Sequence, residues 1–554
     1  MGLYLLDYGA GNVQSLANSL TKLGYEFTWV AQPEDFHKAT SLIFPGVGAF
    51  ETAIAHLESR GLFQPLKEYI QSGKPYFGIC IGMQVLFESS TEATRKGLGI
   101  VPCPIESFDA SDKAVPHIGW NSADLITPSD DTEGVQPSSY YYFVHSYRAK
   151  YDADTYPDAM TWVHATTQYG QETFISSVRK GNVFGTQFHP EKSGKAGLAL
   201  IDAWLRKPEA AHTHAPPAPL RNLIPKPTHS LTKRIIACMD VRANDQGDLV
   251  VTKGDQYDVR EKIVTANSAG AVRNLGKPVA LAAKYFEAGA DELCLLNITS
   301  FRHSPLQDQP MLAVVRAAAE CVFVPLTIGG GIKDTVDPDG TKRSALEVAG
   351  AYFRAGADKV SIGSEAVYTV ERLRASGWQK GDGTSAIETI AHTYGRQAVV
   401  VSIDPKRVYV DPKTYEGPYQ DELVYGKEDG PENERGKAWW YQCTVSGGRE
   451  VRDVSVVELA KGVDILGAGE ILVNLIDRDG TGLGFDLDLV NLVKRTVKIP
   501  VVASSGAGSA QHFVDVFRDT PVEAALAAGI FHREEVKISA VKQALRENSI
   551  NVRD

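Results

Sequence analysis

The chain has 554 residues, too many for one hydrophobic core and enough for two to four domains at ~100–200 residues each. Apolar residues make up 43% and charged residues 23%, a globular balance that excludes a disordered or collagen-like chain. Lys and Arg number 57 against 68 Asp and Glu, and the net charge of -11 argues against a nucleic-acid partner, which demands a basic face.

No run approaches the ~18 apolar residues of a membrane span. The first residues, Met1 to Tyr8, read as a strand and lack the basic start of a signal peptide. Six scattered cysteines (Cys80, Cys103, Cys238, Cys294, Cys321, Cys443) form no C-x-x-C pair, which fits a reducing, cytoplasmic setting with no disulfide frame. No metal, other cofactor or membrane partner is expected.

Along the first part, short apolar runs (Leu3–Leu6, Ser41–Phe44, Tyr76–Ile79, Val183–Phe188) alternate with helical patterns such as Val13–Leu23 and Ala53–Ser59. That is α/β layering over residues 1–206. Residues 207–230 carry six prolines and no apolar periodicity, and read as a stiff linker. From 231 to 554 the pattern is more regular. Strand-like runs appear at Ile235–Met239, Leu293–Asn297, Pro325–Ile328, Lys359–Ile362, Ala398–Ile403, Ile471–Ile476, Val501–Ala503 and Ala524–Ala527. Helical patterns such as Val279–Ala288, Ser344–Ala355 and Val454–Leu466 lie between them, so the expectation is a (β/α)8 (TIM) barrel. Insertions fall near Thr335–Arg343, Ala375–Ser385 and Asp411–Lys437, the last read as a long surface loop. Ile236–Asp240 recurs as Val400–Asp404, Ala288–Leu293 as Leu466–Ile471, and Ile328–Ile332 as Ala503–Ala507. Three matches in one order, about half the segment apart, indicate a duplicated half-barrel.

Gly78-Ile79-Cys80-Ile81-Gly82 follows one strand and precedes a helical run, Met83–Ser89. This is the layout of a nucleophile elbow with cysteine as the nucleophile and a helix N-terminus behind it. A thiol needs a base. His189 and Glu191, two apart at a strand end, face the same way, so Glu191 can fix the tautomer of His189 while the other ring nitrogen meets Cys80. Pro45-Gly46-Val47-Gly48 is either a simple turn or, with the Ile81 N–H, an oxyanion hole. The run Tyr140–Tyr147, ending in His145, Ser146 and Tyr147, either lines the pocket or packs as aromatic core.

These motifs, with Gly-Ile-Cys-Ile-Gly-Met-Gln ending at Gln84, resemble a class I (triad) glutamine amidotransferase. The resemblance implies that Cys80 attacks glutamine and releases ammonia through a glutamyl thioester. His189 would shuttle the proton and Glu191 would orient it. Gln84, His145, Ser146 and Tyr147 would contact the glutamine.

In the second part Asp240 and Asp404 end equivalent strands, where a barrel carries its catalytic residues. Two carboxyls facing one pocket serve as acid and base if their environments part their pKa values. Gly330 and Gly331 with Gly363 and Ser364 make one phosphate cradle; Ser505 and Gly506 with Ala528 and Gly529 make its repeat. A duplicated cradle predicts a long ligand with a phosphate at each end, and Lys253 can close over it.

Lys233-Arg-Ile-Ile-Ala-Cys-Met-Asp240, Thr327-Ile-Gly-Gly-Gly-Ile332, Ile476-Asp-Arg-Asp-Gly-Thr481 and Ala503-Ser-Ser-Gly-Ala-Gly508 resemble the cyclase of the imidazole glycerol phosphate synthase family. A glutaminase fused ahead of it resembles the bifunctional enzymes of histidine biosynthesis. The resemblance implies a bis-phosphorylated ribulosyl formimino aminoimidazole carboxamide ribotide as substrate. Asp240 and Asp404 would be the acid/base pair, and Asp479 and Gly480 substrate contacts. The sequence departs from the bacterial pattern at the loop after Val241, at Asn297 and at Gly363-Ser364.

Four charged residues stand at the starts of barrel strands: Arg234, Glu292, Lys359 and Glu470. Arg234 and Asp240, six apart on one strand, point the same way about 20 Å apart. The four are either a salt-bridge cluster sealing a packed core or, as the resemblance implies, an ammonia gate at an intramolecular glutaminase–cyclase interface. A monomer is expected. A barrel–glutaminase pair making a pyridoxal-type cofactor is the competing reading, and it requires a Schiff-base lysine where this chain pairs aspartates.

Overall fold

A computed structural model describes residues 2–9, 11–127, 134–207, 223, 226, 230–243, 249–252, 278–298, 310–337, 339–378, 380–428, 432 and 434–554. Lys253 and nearly all of the proline-rich linker lie outside the described residues. Among the described residues no helix is long and apolar enough to cross a membrane.

The first part is built on an eight-stranded sheet. Leu3–Leu6 lies between Thr28–Val30 and Ser41–Phe44, and Tyr76–Ile79 and Val183–Thr186 continue the parallel order. Glu172–Lys180, Val163–Tyr169 and Asp124–Leu125 extend it antiparallel. The parallel strands are covered on both faces, so they read as unbroken apolar runs such as Leu42-Ile43-Phe44. The helix expected over Met83–Ser89 is not there. A single turn, Ile81–Gln84, is followed by a strand, Phe87–Ser90, paired with Val101–Ser107. The two serines, which disfavour a helix interior, suit an edge strand better.

The second part is a closed parallel barrel of Arg234–Ala243, Glu292–Asn297, Leu326–Gly329, Lys359–Ile362, Val399–Ile403, Glu470–Asn474, Val501–Ser504 and Ala524–Ala527. The eighth strand pairs back onto the first, Arg234 opposite Ala524. Strand periodicity divides the side chains. Ile235, Ala237 and Met239 join the core under the helices, whereas Ile236 and Cys238 join a lumen cluster with Cys294, Val400, Leu472, Val502, Ala524 and Leu526. Shell helices begin where Ser344, Ser385 and Ser455 form capping boxes with the glutamates three residues on. The sixth strand ends at Asn474, two residues short of the expected limit, because Ile476–Arg478 coils into a 3-10 turn. The third insertion is more than a loop. Aromatic and β-branched residues flanking it pair as Pro405–Val410, Val424–Tyr425, Ala438–Val445 and Glu450–Ser455 in a small antiparallel sheet.

A two-stranded ribbon joins the halves. His117–Ser122 pairs antiparallel with Tyr140–His145. Alternate residues Ile118, Trp120, Tyr142 and Val144 pack into the barrel core, while Tyr141 and Phe143 pack into the glutaminase-like domain. Both halves of the aromatic run are therefore core, one face for each domain. Polar locks surround the ribbon. Trp120 Nε1 donates to the Asp291 carbonyl at 3.1 Å. Asp358 accepts from Asn12 Nδ2 at 2.9 Å and pairs with Lys192 at 2.8 Å.

Lys192 is only 2% exposed, so Asp358→Ala strands a buried ammonium. The expected loss is about 3–5 kcal/mol of stability, read as a lower unfolding midpoint by calorimetry; an unchanged midpoint contradicts the lock.

Candidate active sites and the charged ring

Cys80 sits at φ 50, ψ -102, between a buried strand and the turn Ile81–Gln84. Such a backbone costs strain for a side-chain-bearing residue and is held by its surroundings. A Cβ at Gly78 would strike the Gly82 carbonyl, and one at Gly82 would strike the Phe44 carbonyl. The two glycines let the elbow close this tightly.

His189 and Glu191 are buried, with Nδ1 2.8 Å from Oε1. Burial pulls the His189 imidazole towards neutrality, but the Glu191 carboxylate and the Cys80 sulfur outweigh it, so its proton affinity stands well above the ordinary histidine value. Its Nε2 is buried and makes no aligned hydrogen bond, and Cys80 is its electrostatic neighbour. The loop Gly46–Gly48 also lies here, but the Ile81 N–H already donates to the Gly46 carbonyl at 3.4 Å, and the Tyr8 hydroxyl holds the Val47 carbonyl at 2.8 Å. The Ile81 N–H and the Gly46–Gly48 loop therefore adjoin, with that N–H already paired.

Gln84 donates to the Tyr147 carbonyl at 3.2 Å and to Gln187 Oε1 at 2.9 Å. His145 points away into rings, with Phe108, His117 and Phe174 around it, and burial pushes its pKa down to about 3. Ser146 is buried and its hydroxyl has no hydrogen-bond partner. Glu92, which sequence reading passed over, caps the Phe50 N–H at 2.8 Å; burial lifts its pKa to about 7.

At the barrel's far end, Asp240, Asp404, Asp479, Gly480, Ser505, Gly506, Ala528 and Gly529 line one cavity of about 410 Å3. Burial, reinforced by Asp479, raises Asp240 to about 7. Burial raises Asp404 to about 6 against an opposing hydrogen bond from Asn474 at 3.1 Å. Asn474 was not anticipated; it ends the sixth strand as Asn297 ends the second, so the half-barrel repeat was the available signal. Arg533, also unanticipated, lines the same cavity.

The repeat survives in backbone geometry. Gly330 and Gly331 have φ 89 and 80; Ser505 and Gly506 have φ 72 and 90. Two successive residues thus take the same left-handed turn at each of two places on one rim. Gly330, Gly331, Gly363 and Ser364 nevertheless stand outside the cavity, and Ser364 Oγ accepts the Ser446 N–H at 2.9 Å. The structure gathers the aspartates with the second cradle and not with the first.

At the opposite end, Arg234, Glu292, Lys359 and Glu470 close a ring, each at most 2% exposed. Arg234 reaches Glu292 at 2.8 Å and also Glu470, and Lys359 reaches both carboxylates at 2.6 Å. Burial opposes ionisation of Glu470, yet Arg234 and Lys359 hold its pKa down to about 2. Tyr142 of the ribbon lies beside this ring: its buried hydroxyl has no hydrogen-bond partner and feels Glu292, Arg234 and Glu470. The Tyr142 carbonyl in turn accepts the His189 N–H at 2.8 Å. One residue therefore is hydrogen-bonded to the His189 backbone and lies in the field of the ring.

Comparison with known proteins agrees with this division. A model of "Glutamine amidotransferase class-I" matches residues 4–206, and one of "Histidine biosynthesis protein" matches 234–537. Imidazole glycerol phosphate synthase hisHF of Emericella nidulans is 53% identical over 558 residues, covering 100% of this chain and 98% of that protein. Its namesake in Schizosaccharomyces pombe is 52% identical over 99% of each chain. The chloroplastic hisHF of Arabidopsis thaliana is 51% identical over 99% of this chain and 89% of its own length. With its amidotransferase sheet and its barrel joined in one polypeptide, the chain belongs to the imidazole glycerol phosphate synthase family.

Proposed function

We propose that the chain hydrolyses glutamine at Cys80 and passes the ammonia through the barrel to a bis-phosphorylated ribotide held between Asp240 and Asp404. The domains are residues 1–206 and 231–554, tied by 207–230. The observation that carries the reading is Tyr142, whose carbonyl accepts the His189 N–H and whose hydroxyl lies in the field of the charged ring, at the other end of the barrel from Asp240 and Asp404.

At the first site His189 takes the thiol proton, the sulfur bonds to the amide carbon, and the same proton leaves with ammonia. Water then hydrolyses the thioester and restores the thiol. The oxyanion needs a donor beside Cys80, so the Gly46 carbonyl must yield the Ile81 N–H before turnover. Glu92 offers a carboxylate that an incoming α-amino group would return to its charged form.

At the second site ammonia joins the ribotide, its chain breaks and the imidazole closes. Products are imidazole glycerol phosphate and aminoimidazole carboxamide ribotide. Proton transfers fall to the pair at about 7 and about 6, which carries one proton between those values. One phosphate docks on Ser505, Gly506, Ala528 and Gly529; the other belongs to Gly330, Gly331, Gly363 and Ser364, with Lys253 on the loop beyond. Neutral ammonia crosses a lumen of Ile236, Val400, Leu472 and Val502, whose apolar walls neither protonate nor hold it.

Replacing Cys80 with Ala should lower glutamine-dependent synthesis by about a thousandfold or more while synthesis from ammonium salt persists. Glutamine-dependent synthesis that survives in this variant places the nucleophile elsewhere.

Ammonia-dependent synthesis, corrected for the fraction present as free ammonia, should be bell-shaped in pH. Below about 6 both carboxyls are protonated and the base is missing; above about 7 both are ionised and the acid is missing. Asp240→Asn and Asp404→Asn should each abolish it, and a flat profile or an active variant removes the acid pair.

Lys359→Met leaves two ring carboxylates sharing one arginine. More glutamate should then form than imidazole glycerol phosphate. Equal amounts, as expected for the unaltered chain, would show that the ring does not govern transfer.

A further inference from the structure

The Cys80 sulfur has a neighbour that the triad does not account for. Gln187 is fully buried two residues before His189, and its Nε2 lies 3.5 Å from Cys80 Sγ. Its backbone N–H is fixed to the Ser176 carbonyl at 2.8 Å.

The orientation of its amide follows from what surrounds it. The Tyr147 carbonyl can only accept, so Gln84 must present its nitrogen there. That NH2 group's other hydrogen goes to Gln187 Oε1. With its oxygen occupied, Gln187 turns its own NH2 to the sulfur. A carbonyl of the main chain thus sets the direction of two amides in series.

We propose that Gln187, aligned by Gln84 and the Tyr147 carbonyl, is a catalytic hydrogen-bond donor to the Cys80 thiolate. The proposal rests on Cys80 being the glutaminase nucleophile. When His189 removes the proton, charge appears on a sulfur that is 4% exposed, where a fixed amide N–H acts more strongly than it would in water. The helix behind the elbow is a single turn and supplies little dipole, so the side-chain amide takes over that task. The donor serves again when thioester hydrolysis expels the same sulfur as thiolate. Gln84, for which the resemblance implies a glutamine contact, acts in this arrangement also as a positioning residue for Gln187.

The test uses the full chain with Gln187→Leu and the near-isosteric Gln187→Glu. Alkylation of Cys80 by iodoacetamide, followed by peptide mass mapping across pH, gives the thiol midpoint. For Gln187→Leu it should rise by about one pH unit. The kcat for glutamine hydrolysis should fall about tenfold with KM little changed, as for the loss of one charge-assisted hydrogen bond. In Gln187→Glu the side chain donates only while protonated, so its kcat relative to the unaltered chain should fall as pH rises. That variant carries the test if the leucine form does not fold. A thiol midpoint left in place in both variants, or an unchanged kcat, overturns the proposal. If alkylating Cys80 in the unaltered chain spares glutamine hydrolysis, the nucleophile assignment fails instead.

Discussion

Four charges buried at the base of a barrel are the constraint around which this molecule is arranged. Arg234, Glu292, Lys359 and Glu470 are at most 2% exposed and satisfy one another pairwise. Desolvating four ions costs more than their attraction readily returns, and an apolar layer of the same volume would seal a barrel at least as stably. Stability therefore does not explain the ring. A layer that is closed by discrete ion pairs, rather than by packing, can be opened by exchanging partners, and it sits where one domain meets the other. Thr327 donates to Glu292 at 2.6 Å and gives that carboxylate a further neutral partner.

The ribbon ties the two domains together at this ring. Strand alternation gives it two faces, and each face completes a different hydrophobic core. Movement of Tyr142 against the ring is tied through its carbonyl to the backbone of His189. Ser193 reinforces the link: its hydroxyl accepts the Tyr142 N–H at 2.9 Å and donates to the His189 carbonyl at 2.6 Å. Lys192 and Asp358 lock the residue next to Glu191 against the barrel. The segment that carries His189 and Glu191 is thus held by the ribbon at His189 and Ser193 and by the barrel at Lys192.

Much of this was legible in sequence, because it rests on local rules. The elbow needs two glycines around Cys80, the barrel repeats apolar runs at near-equal spacing, and the duplication marks Asp240 and Asp404 together. What sequence hid was set by tertiary pairing. Phe87–Ser90 follows a helical turn and yields to an edge strand only because Val101–Ser107 is beside it. The aromatic run at Tyr140–Tyr147 left pocket lining and aromatic core open as alternatives; its partner strand, His117–Ser122, makes it core for both domains. Gln187 and Asn474 act through amides whose direction depends on neighbours far away in the chain, Gln84 and Asp404. Gly330 and Gly331 keep the turn geometry yet stand outside the cavity, and the Ser364 hydroxyl accepts the Ser446 N–H.

Isotope dilution tests the central claim most directly. Glutamine carrying 15N in its amide is supplied with the ribotide in a bath of excess unlabelled ammonium, and the imidazole glycerol phosphate is analysed by mass. Transfer through the barrel predicts product labelled as fully as the amide, whatever the bath concentration below that which drives the ammonia reaction itself. Product labelled in the proportion of the bath would mean that ammonia escapes before it reacts, and that the charged ring is a seal and not a gate.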